Sequence, residues 1–316
     1  MSADTAARPR PSYVLGRAEV RAVDRVSPNF VRVTFGGSDL DEFGTPGDTF
    51  DARIKIVFPP ASGILPGIPT DTEDWWGDYL AVPEDERGAM RTYSVRELRV
   101  TDAGTEVVVD FVLHLAPGLT GPASLWASGA QPGDAVLMVG PRRGREERGG
   151  IEYAPGGAAS VVLVGDETAA PAIARILEDA PRDTRGIAFI EVPVDADELP
   201  IEAPAGVEVH WLPRGSAPHG RRIIPTVLDY LGDAPAGEIA ITDLDGEAMV
   251  WETPVYSGLG EDVADGQVAD GERYFWIAGE SGVVTTLRRH LVKDLGIDRR
   301  QVAFMGYWRH GVAMRG

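Results

Sequence analysis

Three short stretches of the chain carry side chains able to hold a flat, phosphorylated ligand. The first is Arg91-Thr92-Tyr93-Ser94-Val95-Arg96. On a strand, alternation sends Arg91, Tyr93 and Val95 to one face and Thr92, Ser94 and Arg96 to the other. A Tyr can stack on a ring, a Ser hydroxyl can bond a ring nitrogen, and an Arg can hold a phosphate through two parallel hydrogen bonds. The same residues also suit a half-exposed strand with surface arginines, and the segment alone does not separate the two. The second stretch is Asp110-Phe111-Val112-Leu113-His114, followed by Gly121-Pro122-Ala123-Ser124-Leu125-Trp126. Gly then Pro opens a helix whose first N–H groups point outward and favour an anion such as a pyrophosphate. Ser124 adds a hydroxyl, His114 ends the preceding strand, and Trp126 reads as a core filler between domains. The third stretch is Gly165-Asp166-Glu167-Thr168-Ala169-Ala170-Pro171-Ala172-Ile173, where a strand gives way to a helix. Thr168 suits an N-cap. Asp166 and Glu167 would repel a pyrophosphate, so this segment reads as a wall beside a nicotinamide rather than a phosphate cradle. Near the end, Met305-Gly306-Tyr307-Trp308-Arg309 sets two aromatics at a strand's carboxyl edge, one read as meeting the ligand and the other as packing.

Other chemistries are missing. The chain has no cysteine, which removes disulfides, thiol nucleophiles and Cys-bound zinc or iron–sulfur clusters. Its five histidines include no pair at helical metal-site spacing. Gly-x-Gly-x-x-Gly, the Walker A loop and the Gly-x-Ser-x-Gly elbow do not occur. Lys plus Arg is 30 and Asp plus Glu is 49, so the net charge is 30 − 49 = −19. That balance disfavours nucleic acid and polybasic membrane binding. Redox chemistry here needs a bound organic cofactor or another metal centre.

The elements that must position these stretches differ between the halves. With 316 residues, 43% hydrophobic and 25% charged, the chain is ordinary in composition and long enough for two domains. Up to about residue 150, short runs predict strands at Tyr13–Val23, Phe30–Phe35, Ile54–Phe58, Arg91–Val95, Val107–Leu113 and Ala135–Val139, with one helix at Pro122–Ala130. This pattern predicts an antiparallel barrel. Beyond it, strands at Ser160–Val164, Ile187–Val192, Val207–Leu212, Tyr274–Ala278 and Gln301–Gly306 alternate with helices from Pro171, Ile224 and Val283, which predicts an α/β domain with a parallel sheet. The expected domains are 1–150 and 151–316. Ala61–Ala89, with Trp75-Trp76, and Glu252–Glu272 read as solvated loops. The polar start lacks a signal-peptide pattern and no run could span a bilayer, so a cytoplasmic protein without membrane insertion is expected.

In this order the segments resemble the siderophore-interacting proteins, flavin-dependent ferric-siderophore reductases related to the ferredoxin–NADP reductase superfamily. The motifs are Arg-x-Tyr-Ser-x-Arg, Asp-Phe-x-x-His, Gly-Pro-Ala-x-x-Trp, Gly-Asp-Glu-Thr-Ala-x-Pro-Ala-Ile, Ala-Gly-Glu and Gly-Tyr-Trp-Arg-x-Gly, spread from about Tyr13 to Gly311. One departure is Ala170, where the family commonly has Leu. The resemblance implies an FAD-binding barrel followed by a nicotinamide-nucleotide domain. It implies that Arg91, Tyr93 and Ser94 meet the flavin, with Val95 and Arg96 close by. His114 and Gly121, Pro122, Ala123 and Ser124 would contact its ribityl and pyrophosphate groups, with Asp110, Phe111 and Val112 counted among the cofactor-binding residues. Asp166, Glu167 and Thr168 would fall at the nicotinamide side, and Trp308 is a further cofactor-binding candidate. Lys55, Arg142 and Arg309 are candidates for the basic cluster that receives an anionic ferric siderophore. The implied reaction takes hydride from NADH or NADPH at flavin N5 and passes electrons to Fe(III), with no general acid or base and no resident metal. Ferredoxin is the alternative donor, disfavoured because two acidic proteins repel. Other readings are a flavin reductase with another acceptor and a siderophore binder without turnover.

Overall fold

The computed structural model describes residues 11–45, 47–70, 72, 74–115, 120–144, 149–233, 239–241, 249–253, 256–257 and 273–312. The front part forms strands β1 (Tyr13–Arg25), β2 (Phe30–Gly36), β3 (Arg53–Phe58), β4 (Ala89–Ser94), β5 (Glu97–Thr101), β6 (Gly104–Val112) and β7 (Ala135–Pro141), with helices α1 (Trp75–Ala81) and α2 (Pro122–Gly129). They make one seven-stranded antiparallel sheet in the order β4-β3-β7-β1-β2-β6-β5. Its two edge strands are consecutive in the chain, and that closes the ring. Ser94 pairs with Arg53 on β3. The Val95 N–H then reaches the Ala52 carbonyl at 2.9 Å, and the Arg96 N–H reaches the Val108 carbonyl of β6 at 2.8 Å. The segment from Arg91 to Arg96 is therefore the stave that joins both edges, pivoting on the buried Val95. Alternate residues of β2, β3 and β6 (Val33, Phe35, Ile54, Ile56, Val109, Phe111) fill the interior, as a period of two requires.

Ala61–Ala89 departs from the expected solvated loop. Asp74 caps α1 by accepting the Gly77 N–H at 2.9 Å. Ile68, Trp75 and Tyr79 pack on Leu15, Val57, Met90, Leu137 and Val139, a second small core on the barrel's outer face. The outward residues of these strands are apolar, so something had to cover them. Gly88, at φ 71°, brings the chain back to β4 so closely that a Cβ would lie 2.0 Å from the Phe58 carbonyl oxygen.

The second sheet comprises β8 (Val161–Gly165), β9 (Arg185–Val192), β10 (Gly206–Pro213), β11 (Trp251–Thr253), β12 (Tyr256–Ser257), β13 (Tyr274–Glu280) and β14 (Val302–Trp308), in the order β10-β9-β8-β13-β14-β11-β12. Strands β8, β9, β10, β13 and β14 are parallel, and β11 is antiparallel to β14. Helix α3 (Ala170–Asp179) packs on one face; α4 (Ile223–Tyr230) and α5 (Ser281–Arg288) pack on the other. A π-helical segment, Arg289–Asp294, continues from α5. Glu252, expected in a loop, lies on β11 and is buried, holding Arg288 at 2.8 Å and Arg299 at 3.0 Å. Most of Glu252–Glu272 lies outside the described residues. The order of chain connections reverses between β8 and β13, so the crevice at their carboxyl ends is the topological place for a ligand. Among the described residues, no helix is long and apolar enough to cross a membrane.

Candidate functional site

On the barrel side, the Tyr93 ring lies 4.6 Å from Phe111 and 6.4 Å from Phe58, centroid to centroid. Burial pushes its phenol well above the usual range. Arg91 precedes it by two residues on β4 and so shares its face. Among the described residues its guanidinium has no carboxylate partner; one arm donates to the Met90 carbonyl at 2.6 Å. Burial draws its basicity down, which is the mark of a cation lacking a counter-charge. Helix α2 packs over this end of the barrel. Its Trp126 stacks on Phe35 at 6.1 Å and lies 5.2 Å from Phe58, packed half-buried against the barrel's aromatic core rather than between the domains. Gly121 precedes Pro122 with no side-chain cap, and a Cβ on Gly121 would meet nothing within 4 Å. Ser124 ties the helix to the end of β6: its hydroxyl donates to the Val112 carbonyl at 2.9 Å and accepts the His114 N–H at 3.2 Å.

Facing this is the carboxyl edge of the second sheet. Glu167 is fully buried. Arg214 reaches both its oxygens at 2.7 Å, and the Nε2 atoms of His219 and His114 lie 3.2 and 3.3 Å from Oε1. Burial alone would raise this carboxyl. The hydrogen bonds from His114, His219 and Arg214 outweigh burial and hold it well below the carboxylate range. His219 is likewise raised by Glu167 against the pull of burial. Asp166 accepts the Thr168 N–H at 2.9 Å, the Thr168 hydroxyl at 2.6 Å, the Glu280 N–H at 2.7 Å and the Trp308 indole N–H at 2.8 Å. Burial and the charge of Glu167 push Asp166 up. Gly279 adopts φ 139° against it, where a Cβ would lie 2.7 Å from the Asp166 carboxyl carbon. Trp308 packs against His114 at 5.4 Å and His219 at 4.8 Å, with His310 at 6.4 Å. Tyr307 instead packs against Trp251 and Trp276.

Carboxylates clamp the two halves together. Asp51 is fully buried and accepts the Trp276 indole N–H at 2.9 Å and the Glu152 and Tyr153 N–H groups at 3.1 and 3.0 Å. Burial pushes it up to about 6. Asp179 accepts the Thr49 and Phe50 N–H groups at 2.9 Å, and Asp197 takes the Ser27 hydroxyl at 2.6 Å.

These contacts sort the residues named from the sequence. His114 meets Trp308 at 5.4 Å, Thr168 joins Trp308 through Asp166, and α2, which carries Pro122 and Ala123, contacts β4, which carries Arg91, Tyr93 and Ser94. Arg96, expected beside a flavin, gives both arms to Glu178 of α3 at 2.7 Å. Asp110 is held by Arg32 at 2.7 and 2.8 Å, and Phe111 is wholly inside the core. Arg142 binds Glu42 and the carbonyls of Pro11 and Tyr13, which removes it from a free basic cluster. Lys55 donates to the Thr92 hydroxyl at 2.7 Å and is drawn down by burial and by Arg53. Arg309 follows Trp308, half-buried. Sequence reasoning missed His219, Glu191 and Asp51. His219 had one signal: it precedes Gly220 just after β10, at the sheet's carboxyl edge.

Residues 158–311 match the family described as siderophore-interacting protein, and residues 19–145 match the siderophore-interacting FAD-binding domain. Ferric vibriobactin reductase ViuB of Vibrio cholerae is 31% identical over 90% of this chain and 86% of its own. The chain belongs to the siderophore-interacting protein family. Another relative, the NADPH-dependent ferric-chelate reductase of Escherichia coli, is 29% identical over 92% of this chain and 91% of its own. A crystal structure of a siderophore utilization protein from T. fusca superposes with a TM-score of 0.67, at 31% identity, covering 96% of both chains. Siderophore-interacting proteins thus share this chain's barrel and α/β sheet, and FAD is the cofactor of that barrel. The residues present fit it: an aromatic plane and, among the described residues, a half-buried guanidinium without a carboxylate partner and a helix start without a side-chain cap.

Proposed function

We propose that the chain is an FAD-dependent ferric-siderophore reductase, fed by NADH or NADPH, that frees iron in the cytoplasm by taking Fe(III) to Fe(II). In this reading residues 1–150 form the FAD module and 151–316 the NAD(P)H module. The observation that carries it is Arg91. A half-buried cation without a carboxylate partner among the described residues costs stability unless a ligand supplies the anion. The reductase activities of the Vibrio cholerae and Escherichia coli relatives support the choice of acceptor.

Each residue then has a physical task. Arg91 and the first N–H groups of α2, at Ala123 and Ser124, hold the pyrophosphate. Tyr93 offers its ring to the isoalloxazine, with Phe111 behind it, and Ser94 offers a hydroxyl to a ring heteroatom. Val95 fixes the turn that presents them. His114 and Trp308 bound the ligand on the far side, with Asp166 and Thr168 shaping that wall. Lys55 and Arg309 meet the anionic siderophore. Bound FAD would turn a two-electron donation into the one-electron delivery that Fe(III) needs. Ferric iron is a hard cation gripped by catecholate or hydroxamate oxygens, and one added electron lowers its charge and loosens that grip. The protein need only position donor and acceptor and exclude water.

Purified protein is expected to be yellow, and Tyr93→Ala combined with Ser94→Ala to lose most of the FAD. Full flavin retention in that double variant would sink the site. Under anaerobic conditions NADH or NADPH should bleach the flavin, and a ferric siderophore should restore its colour. Bleaching without a response to siderophore points to another acceptor. No bleaching leaves a ferredoxin-fed enzyme or a binder.

A further inference from the structure

In an open parallel sheet, the helix starts at the carboxyl edge are the natural seats for a dinucleotide's phosphates, because free N–H groups and the helix dipole favour an anion. In this chain those starts are already filled by its own carboxylates. Glu191, at the end of β9, is fully buried and accepts the N–H groups of Gly220, Arg222 and Ile223 at 2.8, 3.0 and 3.1 Å, which are the entry to α4. Glu280, at the end of β13, accepts the Val283 N–H at 3.0 Å inside the first turn of α5, and the His310 N–H at 3.2 Å. Asp166, at the end of β8, takes the Thr168 N–H in the turn that enters α3. A buried carboxylate is tolerated only when its lone pairs are filled, and here backbone N–H groups fill them. The same N–H groups cannot serve a phosphate as well. The pocket between the α4 and α5 starts, lined by Asp166, Glu191 and Glu280, measures ≈ 10 Å³. That holds about one water molecule and no phosphate. Arg214, the kind of side chain that could otherwise clasp a 2′-phosphate, has both arms on Glu167.

We propose that Glu191, together with Asp166 and Glu280, sets donor specificity by exclusion: it holds the α4 start closed to phosphate. The nicotinamide donor is then engaged through its nicotinamide riboside half, and its pyrophosphate and any 2′-phosphate stay in solvent. This rests on the reading that NADH or NADPH reduces the flavin. It predicts that the enzyme barely distinguishes NADH, NADPH and the truncated donor reduced nicotinamide mononucleotide.

Two measurements test it on the FAD-loaded protein. The first is independent of turnover: calorimetric titration with 2′,5′-ADP. Wild type should show no saturation up to about 1 mM, and Glu191→Ala should bind at least about tenfold more tightly. Glu191→Gln keeps the size and removes the charge, so it carries the test if the alanine variant does not fold; it too should bind more tightly. Micromolar binding by wild type, or no gain in any folded Glu191 variant, overturns the exclusion. The second is kcat/KM for the three donors, expected to agree within about tenfold; an advantage of NADPH over the mononucleotide of about a hundredfold or more overturns it. If no donor reduces the flavin, the donor reading falls, and the titration still decides the exclusion.

Discussion

The two sides of the cleft treat their polar groups in opposite ways. Among the described residues, the barrel leaves the Arg91 guanidinium without a carboxylate partner and the helix start at Gly121 without a side-chain cap. The α/β edge leaves little open: Asp166, Glu167, Glu191 and Glu280 are all buried and all hydrogen-bonded. A site that binds a ligand tightly must hold groups the folded chain does not itself satisfy, and such groups cost stability until the ligand arrives. A surface over which a substrate comes and goes gains from being satisfied already. The contrast fits a resident cofactor on one side and a passing donor on the other.

Glu167→Gln is the strongest way to break that contrast. Removing the charge leaves Arg214 buried beside His219 and His114, and breaking a buried pair on one side costs about 3–5 kcal/mol. Denaturant unfolding of the variant should show that loss, and His219 should titrate lower by NMR, because Glu167 is what raises it. A variant as stable as wild type would mean the edge is not internally satisfied. Arg91→Met should act in the reverse sense. FAD affinity should fall by about 10–100-fold, the loss of a charge-assisted hydrogen bond of about 1.5–3 kcal/mol. The apoprotein should melt no lower than wild type, because the variant removes a half-buried cation that has no carboxylate partner among the described residues. A lower melting temperature for the apoprotein, with FAD binding unchanged, would place Arg91 among the structural arginines.

Much of this was legible in the sequence. Alternation in β2, β3 and β6 and the strand–helix alternation after Ser160 are local periodicities, and they gave the barrel and the α/β sheet. Arg91, Tyr93 and Gly121 could be singled out as candidates because a single element sets the position of each. Arg96 was not, because its partner Glu178 lies 82 residues away and no local pattern announces it. The same holds for Glu191, whose role depends on the entry to α4 folding back over β9. The cap formed by Ala61–Ala89 looked like a loop because its apolar residues are spaced to meet a barrel's outer face, not to form an amphipathic helix of their own.

The seam between the two regimes supplies the smallest effect and the finest test. Asp51 belongs to the barrel, yet its carboxylate is satisfied by Trp276 of the α/β sheet and by the linker N–H groups of Glu152 and Tyr153. Burial outweighs those donors and lifts it from 3.8 to about 6. Its folded form therefore holds a proton more tightly than the unfolded chain does. Where the native state binds more protons, stability falls as pH rises. The contribution is fully present below about pH 4 and is lost as pH rises through 6. Asp51→Asn removes the titration, so its unfolding free energy should change less between pH 4 and 6 than that of wild type, measured by denaturant melts across that window. If wild type instead gains stability relative to the variant as pH rises there, the carboxylate is a well-paired anion. The seam would then obey the rule of the α/β edge rather than standing between the two.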